Sequence, residues 1–256
     1  MATVLNGRIG ETWVTNEGYI IVILEYINSG KVLIEFQDEH KTQKWTQYYY
    51  CKSGNIHNPF HPTVFEVGYI GVGGASISHN GKQTKCYRTW KSMIARCYDE
   101  KYQKVRPTYE NCKVCEEWHN FQNFAKWFEE NYYEVDNEIM CLDKDILVKG
   151  NKVYSPETCV FVPKNINVLF TKTNAKRGAY PIGVSHAKEH GYIAYCQNQL
   201  LDKRVHLGTF KTIVEAFNAY KQYKEKHIQD VANHYKAYIP TRLYNSMMKY
   251  KVEIVD

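Results

Sequence analysis

The sequence predicts an α+β protein made of several small domains, and three observations lead to this class. Short alternating segments bounded by Gly and Asn, a pattern typical of antiparallel strands, occupy both ends of the chain. Aromatic residues at helical spacing fill the middle, between residues 82 and 172. The 256 residues are enough for two or three small hydrophobic cores.

Residues 1–70 are predicted to form a small β domain, barrel-like and made of about five short strands. Ile20–Tyr26 and Lys31–Gln37 are predicted as strands, joined by the turn-forming segment Ile27-Asn28-Ser29-Gly30. Thr46–Cys51 is predicted as a third strand. The pattern leaves two roles open for this domain, a structural one and an accessory one in binding protein or DNA.

Residues 82–172 are predicted to form a middle domain with two amphipathic helices. Each helix has an apolar face that we expect to be core rather than a ligand site. The residues on these faces are Trp90, Met93, Ile94, Cys97 and Tyr98 in the first helix, and Trp118, Phe121, Ala125 and Phe128 in the second.

The middle domain resembles the HNH-type (ββα-metal) nucleases found in phages and mobile elements. The resemblance depends on the order and spacing of several short motifs. They are Trp90-x-x-Met93-x-x-Arg96-Cys97-Tyr98, Val114-Cys115-Glu116-Glu117-Trp118-x-x-Phe121, Leu142-Asp143-Lys144-Asp145, Tyr154-Ser155-Pro156-Glu157-Thr158-Cys159 and Asn167. This resemblance implies an HNH-like ββα fold and a Mg²⁺-dependent cleavage of phosphodiester bonds.

The resemblance also assigns roles to particular residues. Asp143 takes the position of the acidic metal ligand, and Asn167, with Asn165 as the alternative, that of the last ligand, so Asp143 and Asn167 are metal-site candidates. Lys144 stands where the family has its general-base His, and Thr158 where it has its central Asn. Because Asp143 and Asp145 flank Lys144, we expect its ammonium to stay charged. The predicted catalytic set is therefore Asp143, Lys144 and Asn167.

A second metal is suggested by Cys112-x-x-Cys115, the spacing of one half of a zinc site. The alternative for these residues is buried, unligated thiols beside aromatic residues. Because no secretory signal is visible, we expect all eight cysteines to be thiols.

The segment from Tyr180 to Tyr235 predicts a three-stranded antiparallel sheet followed by one long helix. Turn residues separate the strands Ile182–Lys188, Tyr192–Gln197 and Arg204–Phe210. The helix begins at a capping box of Thr212 and Glu215. Its apolar stripe consists of Ile213, Phe217, Tyr220, Ile228, Val231 and Tyr235.

This segment, within a domain predicted over residues 178–240, resembles the ethylene-response-factor (apetala-type) DNA-binding domain. The matching residues are Gly183-Val184, Tyr192-Ile193-Ala194, and Val205-His206-Leu207-Gly208-Thr209-Phe210 leading into Glu215-Ala216. The resemblance implies that the outer face of the sheet contacts the major groove of double-stranded DNA.

Strand alternation and the resemblance together give the candidate contacts with DNA. The helix is expected to cover Val184, Leu207, and Ile193 or Cys196. The predicted DNA-facing residues are Ser185, Tyr195, Gln197, Arg204 and His206, with Lys188 and Lys203 at the strand ends, near phosphates. Arg204 is the main candidate for contact with base edges.

Charge favours a nucleic-acid partner for the C-terminal part. The net charge is +6, yet residues 1–170 hold 19 Lys/Arg and 20 Asp/Glu, whereas residues 171–252 hold 14 Lys/Arg and 5 Asp/Glu. The longest apolar run, Tyr19–Ile27, is too short to span a bilayer and contains Glu25. We expect a soluble protein in the cytoplasm of a bacterial or phage-infected cell, without membrane contact.

Three functions are therefore considered. The first is a DNA endonuclease of the homing type, and the second is a non-catalytic DNA-binding regulator or decayed nuclease. The third is an interaction protein that engages a host partner. The first two differ mainly in what Lys144 and Thr158 imply about catalysis.

Overall fold

The structure, a computed structural model, describes residues 6–171, 180–187 and 190–256. It is a mixed α+β protein with several small sheets, in agreement with the predicted class. The chain forms two compact units, one of residues 1–105 with 116–126 and one of residues 106–115 with 127–256. None of the helices in the described ranges is both long and apolar enough to cross a membrane.

The first unit begins with four antiparallel strands that lie in the sheet in chain order. Alternate side chains of the two central strands are buried, which gives this sheet one packed face. The strands are β1 (Thr12–Val14), β2 (Ile20–Asn28), β3 (Lys31–Phe36) and β4 (Gln43–Thr46). Their core contains Ile21, Ile23, Val32, Ile34 and Phe36.

Two expectations for this segment are corrected. The sheet is open, and no closed barrel occurs in the described residues. The predicted strand Thr46–Cys51 is instead mostly helix α1 (Tyr48–Ser53), which buries Cys51 against the sheet. Gly54 ends this helix in the left-handed conformation, with φ of 70°, and its N–H donates to the carbonyl of Cys51.

The rest of the first unit is mainly helical. A hairpin of β5 (Ser78–His79) and β6 (Lys82–Gln83) leads into α2 (Lys85–Tyr98), which is followed by α3 (Glu100–Val105). Thr84 caps α2, since its hydroxyl accepts from the N–H of Tyr87. The predicted apolar face is buried except for Tyr98, which is half-buried, and the indole of Trp90 donates to the carbonyl of Trp118.

The second unit contains a hairpin followed by a helix. Strand β8 (Met140–Asp143) pairs antiparallel with β10 (Val160–Pro163), and α5 (Lys164–Phe170) follows directly. The two short strands β7 (Lys113–Val114) and β9 (Val153–Tyr154) are parallel. Helix α4 (Phe121–Asn131), whose residues 121–126 belong to the first unit, precedes β8 along the chain. We call the hairpin of β8 and β10 together with α5 the ββα element.

The C-terminal part of the second unit has the predicted three strands and helix. Strands β11 (Val184–Ala187), β12 (Gly191–Asn198) and β13 (Lys203–Phe210) pair antiparallel in chain order. Helix α6 (Ile213–Tyr235) starts at the predicted capping box, in which both reciprocal hydrogen bonds are present. A last helix, α7 (Thr241–Lys249), packs against α6.

Helix α6 contributes to two cores. Its N-terminal half packs on the three-stranded sheet through Ala216, Phe217 and Tyr220. Its C-terminal half packs on β10, α5 and α7 through residues that include Ile228 and Val231. One helix of 23 residues therefore connects the sheet to the ββα element.

Candidate nucleic-acid interface and the Asp143 turn

The strand register places the predicted DNA-facing residues of the sheet on one side. Tyr195 lies opposite His206, Gln197 lies opposite Arg204, and Ser185 lies opposite Ile193. On β12 these positions alternate with those that pack against α6, which are Ala194, Cys196 and, at the strand end, Asn198. Of the two alternatives left open for β12, Cys196 faces the helix and Ile193 faces outward.

A β-bulge in β13 changes which residues of this strand face outward. Register shifts between Ala194 and Tyr195, so Leu207 has no direct cross-strand partner, and Gly208 follows with φ of 135°. Leu207 packs toward α6, while Thr209, opposite Ile193, is exposed. Strict alternation along β13 did not predict Thr209, because a bulge is not visible in the side-chain pattern.

Arg204 is held in place on this outer face by an aromatic neighbour. Its guanidinium carbon lies 4.1 Å from the ring centroid of Tyr195, and the rings of Tyr195 and His206 are 5.1 Å apart. Arg204 and His206 are exposed and Tyr195 is half-buried. Stacking of this kind is worth about 0.5–1 kcal/mol at an exposed site, and it restricts the guanidinium before any ligand binds.

The lysines predicted at the strand ends differ in what the structure shows of them. Lys203 is the first residue of β13, is exposed, and lies opposite Asn198. Lys188 lies outside the described residues. Its contact with phosphate therefore stays a prediction from the sequence.

The turn that precedes Lys203 is anchored on α6 from below. Asn198 accepts from the N–H of Leu201 at 3.0 Å and donates to the hydroxyl of Tyr223 at 2.9 Å. The N–H of Gln199 donates to Nε2 of His227 at 3.1 Å. The same nitrogen lies 2.6 Å from Oε1 of Gln199. Burial, followed by the charge of Lys224, lowers the pKa of the His227 imidazole, which favours its neutral form.

Asp143, the predicted metal ligand, terminates β8 and organises the turn after it. Its Oδ1 accepts from the backbone N–H groups of Asp145 at 2.9 Å and Ile146 at 2.8 Å. Burial and then the neighbouring charge of Asp145 raise the pKa of the Asp143 carboxyl to about 6. The carboxyl therefore acts as a turn cap whose ionisation is costly in this environment.

Lys144, which takes the position of the general-base His in the resemblance, is only 7% exposed and is enclosed by its own loop. Its ammonium donates to Asp145 Oδ2 at 3.2 Å and to the carbonyl of Asn151 at 3.0 Å, and it lies 5.8 Å from the ring centroid of Tyr154. Burial by itself would lower the pKa of Lys144, but the charge of Asp145 and the hydrogen bond to its carboxylate outweigh this effect and raise the pKa. A lysine in this state holds its proton and is unsuited to activate water.

Thr158 and Asn167 complete the set derived from the nuclease resemblance. The hydroxyl of Thr158 donates to the carbonyl of Val153 at 2.8 Å and lies 3.1 Å from that of Ser155, so it closes a local turn. Asn167 is half-buried on α5, which packs against β8 and β10. Within the described ranges, no hydrogen bond joins Asn167 to Asp143 or Lys144.

The residues present do not suit the implied Mg²⁺. The cation prefers an ionised carboxylate with free oxygens, whereas one oxygen of Asp143 already accepts two N–H groups and an ammonium follows in sequence. Among the described residues, no group of three or more His, Cys, Asp or Glu has an arrangement that could hold a metal, and this includes Cys112 and Cys115. All eight cysteines are thiols, and Cys112 is buried.

Comparisons of the chain with protein-family models, with curated proteins and with solved structures found no match. The two resemblances therefore stay predictions from the sequence.

Proposed function

We propose that the chain binds double-stranded DNA through the outer face of the β11–β13 sheet. The observation that carries the proposal is the convergence of Ser185, Tyr195, Gln197, Arg204 and His206 on the side of the sheet opposite α6. This face is polar, contains donors suited to base edges, and has its arginine already held by Tyr195. A small antiparallel sheet has dimensions that fit the major groove.

Charge supports the same partner. The excess of Lys and Arg in residues 171–252 supplies the attraction to phosphates that dominates affinity for DNA. Lys203 is exposed at one end of the sheet, where a flanking phosphate contact would lie. Binding should therefore weaken steeply as salt concentration rises.

The test is fluorescence anisotropy of the full chain with labelled duplexes. We expect salt-dependent binding by the wild type and a large loss in a variant that combines Arg204→Ala, Gln197→Ala and Tyr195→Ala. Arg106→Ala is the control for loss of a guanidinium, because Arg106 is exposed in the same unit but lies outside the sheet. If the triple variant binds as the wild type does, the sheet is not the interface.

We further propose that binding occurs without hydrolysis at Asp143. The support is the geometry of the turn, in which Asp143 caps backbone N–H groups and Lys144 keeps its proton. Incubation of supercoiled plasmid with the wild type and Mg²⁺ or Mn²⁺ should give no nicking. Nicking by the wild type that disappears in Asp143→Ala would restore the endonuclease hypothesis.

A further inference from the structure

A second basic surface lies in the first unit, on β6 and α2. Residues 67–98 contain five Lys or Arg and no Asp or Glu, although the first 170 residues as a whole are close to neutral. Four of these five side chains are exposed. They are Lys82 in the hairpin and Lys85, Arg88 and Lys91 on the helix, and we call them the α2 stripe.

The three helical members recur every third residue and so lie along one side of α2. From Lys85 to Lys91 the helix rises about 9 Å, which matches about three phosphates at their axial spacing along one DNA strand. Lys82 extends the row beyond the helix start. The hairpin turn there has Asn80 and Gly81 both at positive φ, 50° and 73°, as a tight two-residue turn requires.

Two lysines on α6 differ from Lys82 and Lys91 of the α2 stripe. Lys221 and Lys226 on α6 pair with acidic residues one turn away, Glu225 and Asp230. Lys82, Arg88 and Lys91 form no ion pair with any residue in the described ranges. A local excess of positive charge, in a stretch of sequence that holds no Asp or Glu, attracts a polyanion.

The opposite side of α2 argues against a membrane surface as the partner. Helices that bind bilayers insert a free apolar face. In α2 that face is already used, since Trp90, Met93 and Ile94 are fully buried in the unit's own core. The contact available is electrostatic, through the charged side chains alone.

We infer that the α2 stripe is a second DNA-binding surface, which contacts the phosphate backbone without regard to sequence. The identification of the polyanion as DNA rests on the function proposed above for the sheet. The observations on the α2 stripe come from the first unit alone. Lys82, Arg88 and Lys91 would each neutralise one phosphate. Each such contact contributes about 0.9 to the slope of log affinity against log salt concentration.

The experiment uses the full chain and compares two triple variants with the same change in net charge. The test variant is Lys82→Gln, Arg88→Gln and Lys91→Gln. The control is Lys41→Gln, Lys44→Gln and Lys52→Gln, which removes exposed charges elsewhere in the same unit. The test variant should lower the salt slope for duplex DNA by about 2–3, and the control by less than about 1. Equal effects of the two variants, or none, would overturn the inference.

Lysine acetylation read by mass spectrometry, with and without duplex DNA, separates the two surfaces. Protection of Lys82, Lys91 and Lys203 supports both. Protection of Lys203 alone would support the sheet interface and contradict DNA binding by the α2 stripe. Protection of Lys82 and Lys91 alone would support DNA binding by the α2 stripe and contradict the sheet interface. Stronger stripe-dependent binding to RNA duplexes or to phosphatidylserine vesicles than to DNA would also overturn the inference.

Discussion

Replacement of Arg204 by Ala tests the sheet interface at its most specific point. The change removes five N–H donors and leaves Tyr195 without the guanidinium that lies 4.1 Å from its ring. A bidentate contact between an arginine and a guanine is worth about 1–3 kcal/mol. At about 1.4 kcal/mol for each factor of ten, Arg204→Ala should weaken binding to the preferred site about 5- to 150-fold.

The assay requires the preferred site first, which selection from a randomised duplex library supplies. Anisotropy then gives Kd for that site and for an unrelated duplex at several salt concentrations. The expected result is a loss of affinity that is larger for the selected site, with little change in salt slope. Arg204→Lys keeps the charge but not the planar fork, so it should resemble the alanine variant in specificity.

Two results would refute this reasoning. Unchanged selectivity in both Arg204 variants would show that the residue does not contact bases. An equal loss on both duplexes, with the salt slope reduced by about 1, would show that Arg204 contacts a phosphate instead.

Three further predictions concern stability. Because the folded pKa of Asp143 is raised, folding retains a proton that the unfolded chain loses near pH 4, so stability falls as pH rises toward about 6. Asp143→Asn should remove this loss, about 3 kcal/mol at most, in urea unfolding at pH 4 and pH 7. Gly183→Ala should lower the unfolding free energy by about 2–5 kcal/mol, because φ is 78° and the new methyl group meets the ring of Tyr220. The control Gly74→Ala places its methyl group in open space and should lower the unfolding free energy by less than about 1 kcal/mol. Lys224 is 8% exposed, donates no hydrogen bond to a described residue, and has a pKa that burial lowers. Lys224→Met should therefore raise the unfolding free energy at pH 7 by on the order of 1 kcal/mol. A decrease in the unfolding free energy would show that the ammonium has a stabilising partner.

The C-terminal sheet and α6 could be predicted from sequence because their signals are local. Turn residues limit the strands, and the side chains of Thr212 and Glu215 form the capping box within one turn. Strand alternation then assigned the two faces correctly, except where Gly208 permits a bulge. These features depend on residues close together in the chain.

Other features depend on contacts that sequence does not display. Tyr48–Ser53 has strand-forming side chains, yet it is helical because Cys51 packs into the core of the sheet and Gly54 ends the segment beside the backbone of Val14. The burial of Lys144 requires Asn151 and Tyr154 to close over it. The near-zero net charge of residues 1–170 does not reveal the α2 stripe, because acidic residues elsewhere in this range balance its positive charge.

The ββα element has a structural use that does not require catalysis. Val160, Val162 and Ile166 pack on the C-terminal half of α6, whose N-terminal half supports the β11–β13 sheet. Loss of the hairpin and α5 would leave Ile228 and Val231 exposed and would weaken the helix that carries the sheet. An Asp143 that caps a turn and a Lys144 that neutralises Asp145 preserve that hairpin. Packing of this element against α6 is therefore sufficient to account for its place in the fold, without any catalytic role.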